Sequence, residues 1–204
     1  MRATIAVLLG AAHAVGCQAP APAAAPAPVA VQADRLGDPR AKMDRVVVRR
    51  FRLRIELPDP TGWRPRKERS RFLLLDHADT GSSLALRTWL EYDRMTARTC
   101  EQNARLFREL PRGGEPLLRE RRAIAGFDAE VMVAVEPGEV TRGHVTAFGA
   151  KGRMCLAFAF STEARGPLRR QVVEDRLAML DERTLTRLAP VSGEDDVARE
   201  DDLR

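Results

Sequence analysis

The stretch "RFRLRIEL", residues 50–57, decides the fold class. Apolar and charged side chains alternate through it, with Phe51, Leu53, Ile55 and Leu57 on one side and Arg50, Arg52, Arg54 and Glu56 on the other. A period of two places successive side chains on opposite faces of a strand. The stretch therefore predicts a strand with one buried and one solvent-facing side. The next residues, "PDPTGW" (58–63), predict the turn that ends it.

Six further strands are predicted after this turn. The segments "RFLLLDH" (71–77) and "SSLALRTWLEY" (82–92) predict a hairpin around residues 78–81. The other four strands cover residues 117–124, 129–136, 140–149 and 153–161, and glycine-bearing turns separate them. Because consecutive strands joined by short turns run antiparallel, these segments predict an antiparallel sheet.

Two segments change to a helical period. Residues 95–110 carry Ala97, Cys100, Ala104 and Phe107 at helical spacing, and Pro111 with the glycines at 113 and 114 ends the pattern. Residues 168–180 follow Pro167 and carry Val173, Leu177 and Leu180 as an apolar stripe. The order of strands, helix, strands and helix predicts the α+β class, with amphipathic helices packed on an antiparallel β-sheet.

The amino terminus has the pattern of an export signal. Arg2 precedes an apolar run at residues 3–15 that is too short to span a bilayer, and residues 14–17 read Ala-Val-Gly-Cys. This segment resembles a bacterial lipobox, although alanine stands at position 14 where that motif usually has leucine. The resemblance implies a diacylglycerol on the Cys17 thiol, cleavage after residue 16, an acylated (palmitate-type) amino terminus and a lipid-anchored lipoprotein. Two or three acyl chains give stable anchoring.

Two other fates of this segment stay open. Cleavage after Ala14 would give ordinary secretion and leave Cys17 as a free thiol, and an uncleaved cytosolic helix is the third possibility. Gln18 follows the cysteine where some bacteria place aspartate for inner-membrane retention, which favours the outer membrane. The expected location is therefore the cell envelope, with the domain facing the periplasm or the cell surface.

Composition divides the chain into four parts. Residues 1–16 are the predicted signal peptide, and residues 17–45 are the lipidated cysteine with an Ala/Pro-rich tether that proline keeps extended. Residues 46–189 are the predicted globular α+β domain. Residues 190–204 are rich in Asp and Glu with little to bury, and they predict an acidic disordered tail.

The domain resembles the PsbP-like α/β/α sandwich family. The resemblance rests on the element order and on a strand that runs into a proline-turn-tryptophan segment, here Leu57-Pro58 through Gly62-Trp63. It covers about residues 46–189. It implies a domain that binds or assembles with other proteins, in a family without a shared catalytic motif.

Two cysteines lie inside the predicted domain. Cys100 is on the apolar stripe of the first helix, and Cys155 shares a strand face with small residues that would let a helix approach closely. In an oxidising compartment such a pair tends to bridge, so a Cys100–Cys155 disulfide is predicted. The alternative is two separate buried thiols.

The sequence offers few candidates for chemistry. His77 lies in "DHAD" (76–79), where Asp76 and Asp79 would make a weak metal site, but a surface turn is the preferred interpretation. His144 is predicted to be an exposed or half-buried sheet residue. We expect no catalytic constellation, metal or cofactor, because no G-x-S-x-G, phosphate-binding loop or C-x-x-C is found. Trp63 and Trp89 are expected to serve in packing.

Charge and motifs together leave three functional hypotheses. The net charge of +5 is interleaved with 29 acidic residues, which indicates a solvated surface and no nucleic-acid partner. The preferred hypothesis is a lipid-anchored envelope protein whose non-enzymatic domain binds or assembles with a protein or envelope component. The alternatives are an envelope hydrolase with an unrecognised site and a carrier for an apolar ligand. A deep polar pocket holding His77 or His144 would favour the hydrolase, a large apolar cavity would favour the carrier, and a convex, filled domain would favour the binding module.

Overall fold

A computed structural model describes residues 34–67, 70–106 and 110–192. Cys17, most of the predicted tether and residues 193–204 of the predicted tail lie outside the described residues. The strands are β1 (Met43–Val48), β2 (Leu53–Pro58), β3 (Trp63–Pro65), β4 (Leu73–His77), β5 (Ser82–Leu90), β6 (Glu115–Ile124), β7 (Phe127–Glu136), β8 (Thr141–Lys151), β9 (Met154–Ala164) and β10 (Ala189–Pro190). The helices are α1 (Ala97–Ala104) and α2 (Arg169–Met179), and a π-helical segment, Leu180–Leu185, continues α2.

The strands form two antiparallel sheets. The larger sheet has seven strands in the order β3-β4-β5-β9-β8-β7-β6, and the smaller has the order β1-β2-β10. The predicted hairpin is present as β4 and β5, with His77 opposite Ser82. Two helices pack on the antiparallel sheet, so the predicted α+β class is confirmed.

One face of the large sheet is covered by α2 and the small sheet; we call it the α2 face. Its buried apolar residues form one large cluster that includes Ile55 of β2, Phe158 of β9 and Leu177 of α2. The helix approaches β8 very closely at Gly143, where an added Cβ would lie 2.5 Å from Val173 Cγ1. The predicted apolar stripe of α2 is therefore the surface that packs on the sheet.

The opposite face is covered by α1, and we call it the α1 face. Thr96 caps this helix and exchanges hydrogen bonds with Thr99, so the helix begins at Ala97. It ends at Ala104, earlier than predicted. Arg112 Nη2 donates to the carbonyl of Arg105, the residue that caps the helix end, and Arg105 Nη1 donates to the carbonyl of Pro111 in the following segment.

The folded part begins earlier than the sequence suggested. Residues 34–45 were predicted to continue the tether, but Leu36 is completely buried and β1 begins at Met43. The reason is pairing: β1 lies along β2, with Val46 opposite Ile55. At the other end, β10 brings Pro190, the first residue of the predicted tail, into the small sheet.

The strand predicted at residues 50–57 starts later than its pattern suggested. Residues 49–51 form a 3₁₀ turn, and Arg52 has a left-handed backbone (φ 56°), so β2 begins at Leu53. From there the alternation holds, because Leu53, Ile55 and Leu57 are all buried. The short strand β3 lies at the end of the predicted turn and pairs with β4.

Candidate functional site

Both histidines of the domain are buried, and both predictions about them were wrong. His77 was predicted in a surface turn and is 1% exposed, while His144 is 4% exposed. His77 is the last residue of β4, which pairs with β3 on one side and β5 on the other. His144 lies in β8, between β7 and β9. Inner positions of a sheet with both faces covered exclude solvent from either side.

His77 is held by partners on both ring nitrogens. Its Nε2 lies 3.3 Å from Asp59 Oδ2, and its Nδ1 lies 3.0 Å from Thr80 Oγ1. The Trp63 ring meets it edge-on, with 5.2 Å between the ring centroids. Gly62 makes room for the imidazole, since an added Cβ would lie 1.9 Å from Nε2.

These contacts continue into a chain of buried hydrogen bonds on the α2 face. Thr80 Oγ1 donates to Ser82 Oγ, and Ser82 Oγ donates to Thr162 Oγ1, each over 2.8 Å. Arg176 Nη1 donates to Thr162 Oγ1 over 3.0 Å, and Arg176 Nε donates to Asp34 Oδ2 over 2.8 Å. We call this chain, from Asp59 through His77 to Arg176 and Asp34, the His77 network.

Three residues of the His77 network have the composition of a hydrolase triad, but a substrate has no access to them. Asp59, His77 and Thr80 give a carboxylate, an imidazole and a hydroxyl in contact order. However, Asp59 is 9% exposed and His77 is 1% exposed. None of the cavities described below is lined by these three residues. The network therefore satisfies buried polar groups and fixes the packing of the core.

The "DHAD" residues do not converge on one point. Asp76 is on the opposite face of β4 from His77 and accepts two hydrogen bonds from the Arg66 guanidinium, at 3.0 and 2.6 Å. Asp79 is exposed in the turn that follows. Within the described residues, no group of three or more His, Cys, Asp or Glu side chains is placed to hold a metal ion.

His144 borders an open cavity of about 270 Å³ on the α1 side of the sheet. We call this cavity the His144 pocket. Strands β7, β8 and β9, the turn before β5 and the segment after α1 contribute to its wall. The lining residues are Gly81, Pro111, Arg112, Glu136, Arg142, Gly143, His144, Ser161, Thr162 and Glu163.

The imidazole of His144 differs from that of His77 in its hydrogen bonding. His144 Nε2 is buried and has no hydrogen-bond partner among the described residues. Burial lowers the pKa of His144; the Glu136 carboxylate opposes this shift and the Arg105 guanidinium adds to it. The ring is therefore neutral at neutral pH and offers one N–H donor and one lone pair.

Charged groups of both signs surround this neutral ring. Arg142 Nε lies 3.5 Å from Glu163 Oε2, a loose pair in which both side chains remain partly exposed. Arg112 is exposed. Glu136 lies close to Gly113, the residue after Arg112, because the Glu136 Oε1 atom is 3.3 Å from where a Cβ on Gly113 would be. The pocket is thus suited to a polar ligand that presents opposite charges.

Two other cavities border different surfaces. A groove of about 490 Å³ runs along the end of α1 and is lined by Gln102, Arg105, Leu106, Arg112 and Gly113. A largely apolar cavity of about 250 Å³ lies between the two sheets and includes Phe51, Phe127 and Met154 in its lining. It is no larger than the His144 pocket, and the main core beside it is filled by side chains.

The structure contains the predicted disulfide. Cys100 of α1 bonds to Cys155 of β9 across 55 residues, with 5.5 Å between the Cα atoms. Both residues are completely buried beside Ala150. The bond joins the short helix covalently to the centre of the sheet.

Sequence reasoning missed Arg176, although a signal for it exists. Arg176 follows Val173 by three residues and precedes Leu180 by four, which places it on the apolar stripe of α2. An arginine at such a position must find partners in the core, as this one does. Trp63 was correctly assigned to packing, and its Nε1 donates to the Pro58 carbonyl across the turn, over 2.8 Å.

Comparisons with known proteins give similarity in structure only. No family model and no curated protein matches the chain. Among solved structures, a Bacteroides thetaiotaomicron protein is similar at 9% identity with a TM-score of 0.42, covering 70% of this chain and 46% of that one. The chain therefore spans less than half the length of that protein.

A second similar structure is a cyanobacterial PsbP protein (CyanoP) from Synechocystis. Its identity to this chain is 11% and the TM-score is 0.43, with 74% of this chain and 93% of that one covered. A search for helices able to cross a membrane found none in the described part of the chain.

Proposed function

We propose that this protein is a lipid-anchored cell-envelope protein whose domain binds a protein or envelope component through the His144 pocket without transforming it. One observation carries the proposal. The Nε2 atom of His144 is buried without a partner among the described residues, and the residue His144 lines an open pocket with charges of both signs. Buried polar atoms are normally paired, so an unpaired one at a pocket indicates a position that a ligand completes.

Binding fits this geometry better than hydrolysis. A hydrolytic site needs a nucleophile hydrogen-bonded to a base, and a third group that orients the base. Ser161 is opposite His144 in the β8–β9 pairing, yet no hydroxyl of the described residues hydrogen-bonds His144 Nε2. The triad-like residues Asp59, His77 and Thr80 do not line the pocket, which the His77 network reaches only at Thr162.

The anchor is proposed from the amino-terminal sequence. The lipobox-like residues 14–17 precede an Ala/Pro-rich stretch, and sixteen residues (18–33) lie between Cys17 and the first described residue, Asp34. A stretch of that length and composition is long enough to hold the domain some tens of ångströms from a membrane.

Replacing Cys17 tests the anchor. We expect Cys17→Ser to release the protein into the soluble fraction or to stop its processing, and to abolish incorporation of radiolabelled palmitate. A Cys17→Ser protein that stays in the membrane and is processed as before would contradict the anchor. Fractionation of the wild type on a density gradient then separates inner from outer membrane.

Site-specific photo-crosslinking in intact cells tests the pocket. A small diazirine amino acid at Ser161, which lines the pocket, should give a discrete adduct that mass spectrometry can classify. The same amino acid at Arg98, exposed on α1, is the matched control. Identical adducts at both positions, or none at position 161, would contradict binding at the pocket. Release of a cleaved product would favour the hydrolase.

A further inference from the structure

We infer that the His144 pocket takes a small zwitterion of dipeptide size, with a carboxylate and an ammonium group at its two ends. This inference rests on the proposed function and names the chemistry of the ligand. It is carried by three properties of the pocket: its volume, its charge balance and the neutral imidazole in its wall.

The volume indicates how large a part of a ligand the pocket encloses. Ligand cavities in proteins commonly enclose about 300–1,000 Å³. The His144 pocket, at about 270 Å³, is just below that range. A ligand of roughly ten non-hydrogen atoms fits this space, whereas a nucleotide or a glycan chain would extend far outside it.

The charges determine the sign pattern of the ligand. Arg142 of β8 lies between Glu163 of β9, with which it forms a loose pair, and Glu136 of β7, which is its partner in the β7–β8 register. Arg112 is the fourth charged residue of the lining. The two arginines and two glutamates cancel formally. A phosphate or a bare carboxylate would face two like-charged carboxylates, and a simple cation would face two guanidiniums. A ligand with one charge of each sign can use both kinds of partner.

The guanidinium–carboxylate contact at Arg142 is open to exchange. At 3.5 Å between Arg142 Nε and Glu163 Oε2 it is longer than a charge-assisted hydrogen bond, and 62% of the Arg142 side chain is exposed. A ligand carboxylate can therefore take the guanidinium in bidentate geometry, which frees Glu163 to accept from a ligand ammonium.

The neutral imidazole indicates an uncharged polar group between the two charged ends of the ligand. Burial keeps His144 uncharged at neutral pH, so it provides a hydrogen bond and no net charge. A peptide amide between two charged ends is an uncharged polar group of this kind. Pairing it with His144 would satisfy a nitrogen that has no partner among the residues described.

Four glycine-based compounds test the inference on the full-length protein in detergent micelles. They are glycylglycine, its N-acetyl derivative, its carboxamide and the doubly blocked form, which carry both, one or neither of the terminal charges. The carboxamide changes the charge at constant size, so it is the stricter comparison. We expect glycylglycine to bind at least tenfold more tightly than any blocked form in calorimetric titrations. It should also shift the imidazole NMR signals of His144 and leave those of His77 in place. Free glycine distinguishes an amino acid from a peptide and should bind more weakly.

Matched variants locate the binding. Arg142→Gln and Glu136→Gln each remove one pocket charge at a side chain that is not fully buried, and each should weaken glycylglycine binding about fivefold or more. Arg98→Gln removes an exposed charge of α1 and should leave binding unchanged. Melting curves of the variants verify that they are folded.

Two results would overturn the zwitterion inference: equal binding of all four compounds, or tightest binding of a singly charged form. Absence of binding by glycylglycine would do the same. If the crosslinks at position 161 persist in that case, the pocket binds another chemical class and only this inference fails. If those crosslinks are absent as well, the proposed function fails with it.

Discussion

The two faces of the seven-stranded sheet are covered by different means. On the α2 face, α2 and a second sheet bury one large apolar cluster, and the polar groups inside it are linked through the His77 network. On the α1 face, a helix of eight residues covers small side chains such as Ala157 and Ala159, and a disulfide holds it. His144 is buried on this side with an unpaired nitrogen.

The difference indicates that the α2 face mainly stabilises the domain, whereas the α1 face leaves room for binding. The α2 face has enough apolar area to be stable by packing, and its polar atoms reinforce one arrangement. The α1 face has less apolar cover, so a covalent bond contributes stability there and an open pocket remains. Variants on each face test this contrast.

Removing the disulfide should have the largest effect. A Cys100→Ala, Cys155→Ala double variant loses a cross-link that closes a loop of 55 residues, for which the chain-entropy model gives about 4 kcal/mol of unfolding free energy. Urea denaturation of the wild type and the variant measures this loss. A reductant should lower the melting temperature of the wild type and leave the double variant unchanged. Two alkyl groups added to the unreduced, denatured wild type would show that the bond is absent.

Replacing Arg176 should be nearly as damaging on the α2 face. Arg176→Met keeps the apolar part of the side chain but removes the hydrogen bonds to Asp34 and Thr162. We expect a loss of about 3 kcal/mol in unfolding free energy, because buried partners are left unpaired. Arg170→Met is the control: it breaks an exposed pair with Glu174 and should leave the unfolding free energy nearly unchanged. Similar losses for both would contradict the structural role of the His77 network.

Exchanging each histidine for phenylalanine compares the two faces directly. His77→Phe leaves Asp59 and Thr80 without their partner and should cost about 2 kcal/mol. His144→Phe removes a nitrogen that had no partner and should change the unfolding free energy by less than about 1 kcal/mol. Thermal and urea unfolding measure both. Equal losses would mean that the two buried histidines play the same role.

The smallest predicted effect is a dependence of stability on pH. Burial lowers the pKa of His144 below the unfolded value near 6.5, so the unfolded chain binds more protons in the interval between the two values. The contribution of His144 to stability is therefore present above pH 6.5 and is lost as pH falls toward the lowered pKa. The slope is at most about 1.4 kcal/mol per pH unit.

His144→Phe should remove this loss. As the pH falls from 7.5 to 5, the unfolding free energy of the variant should therefore rise relative to that of the wild type. Unfolding free energies of both proteins at the two pH values measure the gain. An unchanged difference across this interval would show that the pKa of His144 is not lowered by folding.

Strand patterns and turn residues predicted most of the fold: strands such as β2 and β7 alternate buried and more exposed side chains, and β8 and β9 are long, mostly buried segments bounded by turns. The elements that were missed are short or polar, such as β1 and β3, and they exist because they pair with longer strands. The end of α1 was misplaced, because side chains of Arg112 and Arg105 donate to backbone carbonyls there and in the following segment. Such contacts produce no periodic pattern in the sequence.

The candidate site was less predictable than the fold. The pairing of Cys100 with Cys155 followed from two inward-facing positions. The burial of His77 depends on Asp59 and Trp63, which come from a turn, and local pattern gives no hint of that contact. The His144 pocket combines five separate parts of the chain, so only the folded arrangement brings its charges together.

The close approach of Gly62 to the His77 ring also constrains how the sequence can diverge. Because a Cβ at position 62 would fall 1.9 Å from Nε2, the two positions are expected to change together in descendants of this chain. A lineage that keeps the histidine must keep the glycine, whereas one that first acquires a small residue at 77 is free to accept alanine or serine at 62. The order of those two substitutions is thus restricted, and the restriction extends to Asp59 and Thr80, each of which loses one hydrogen-bond partner once the ring is gone.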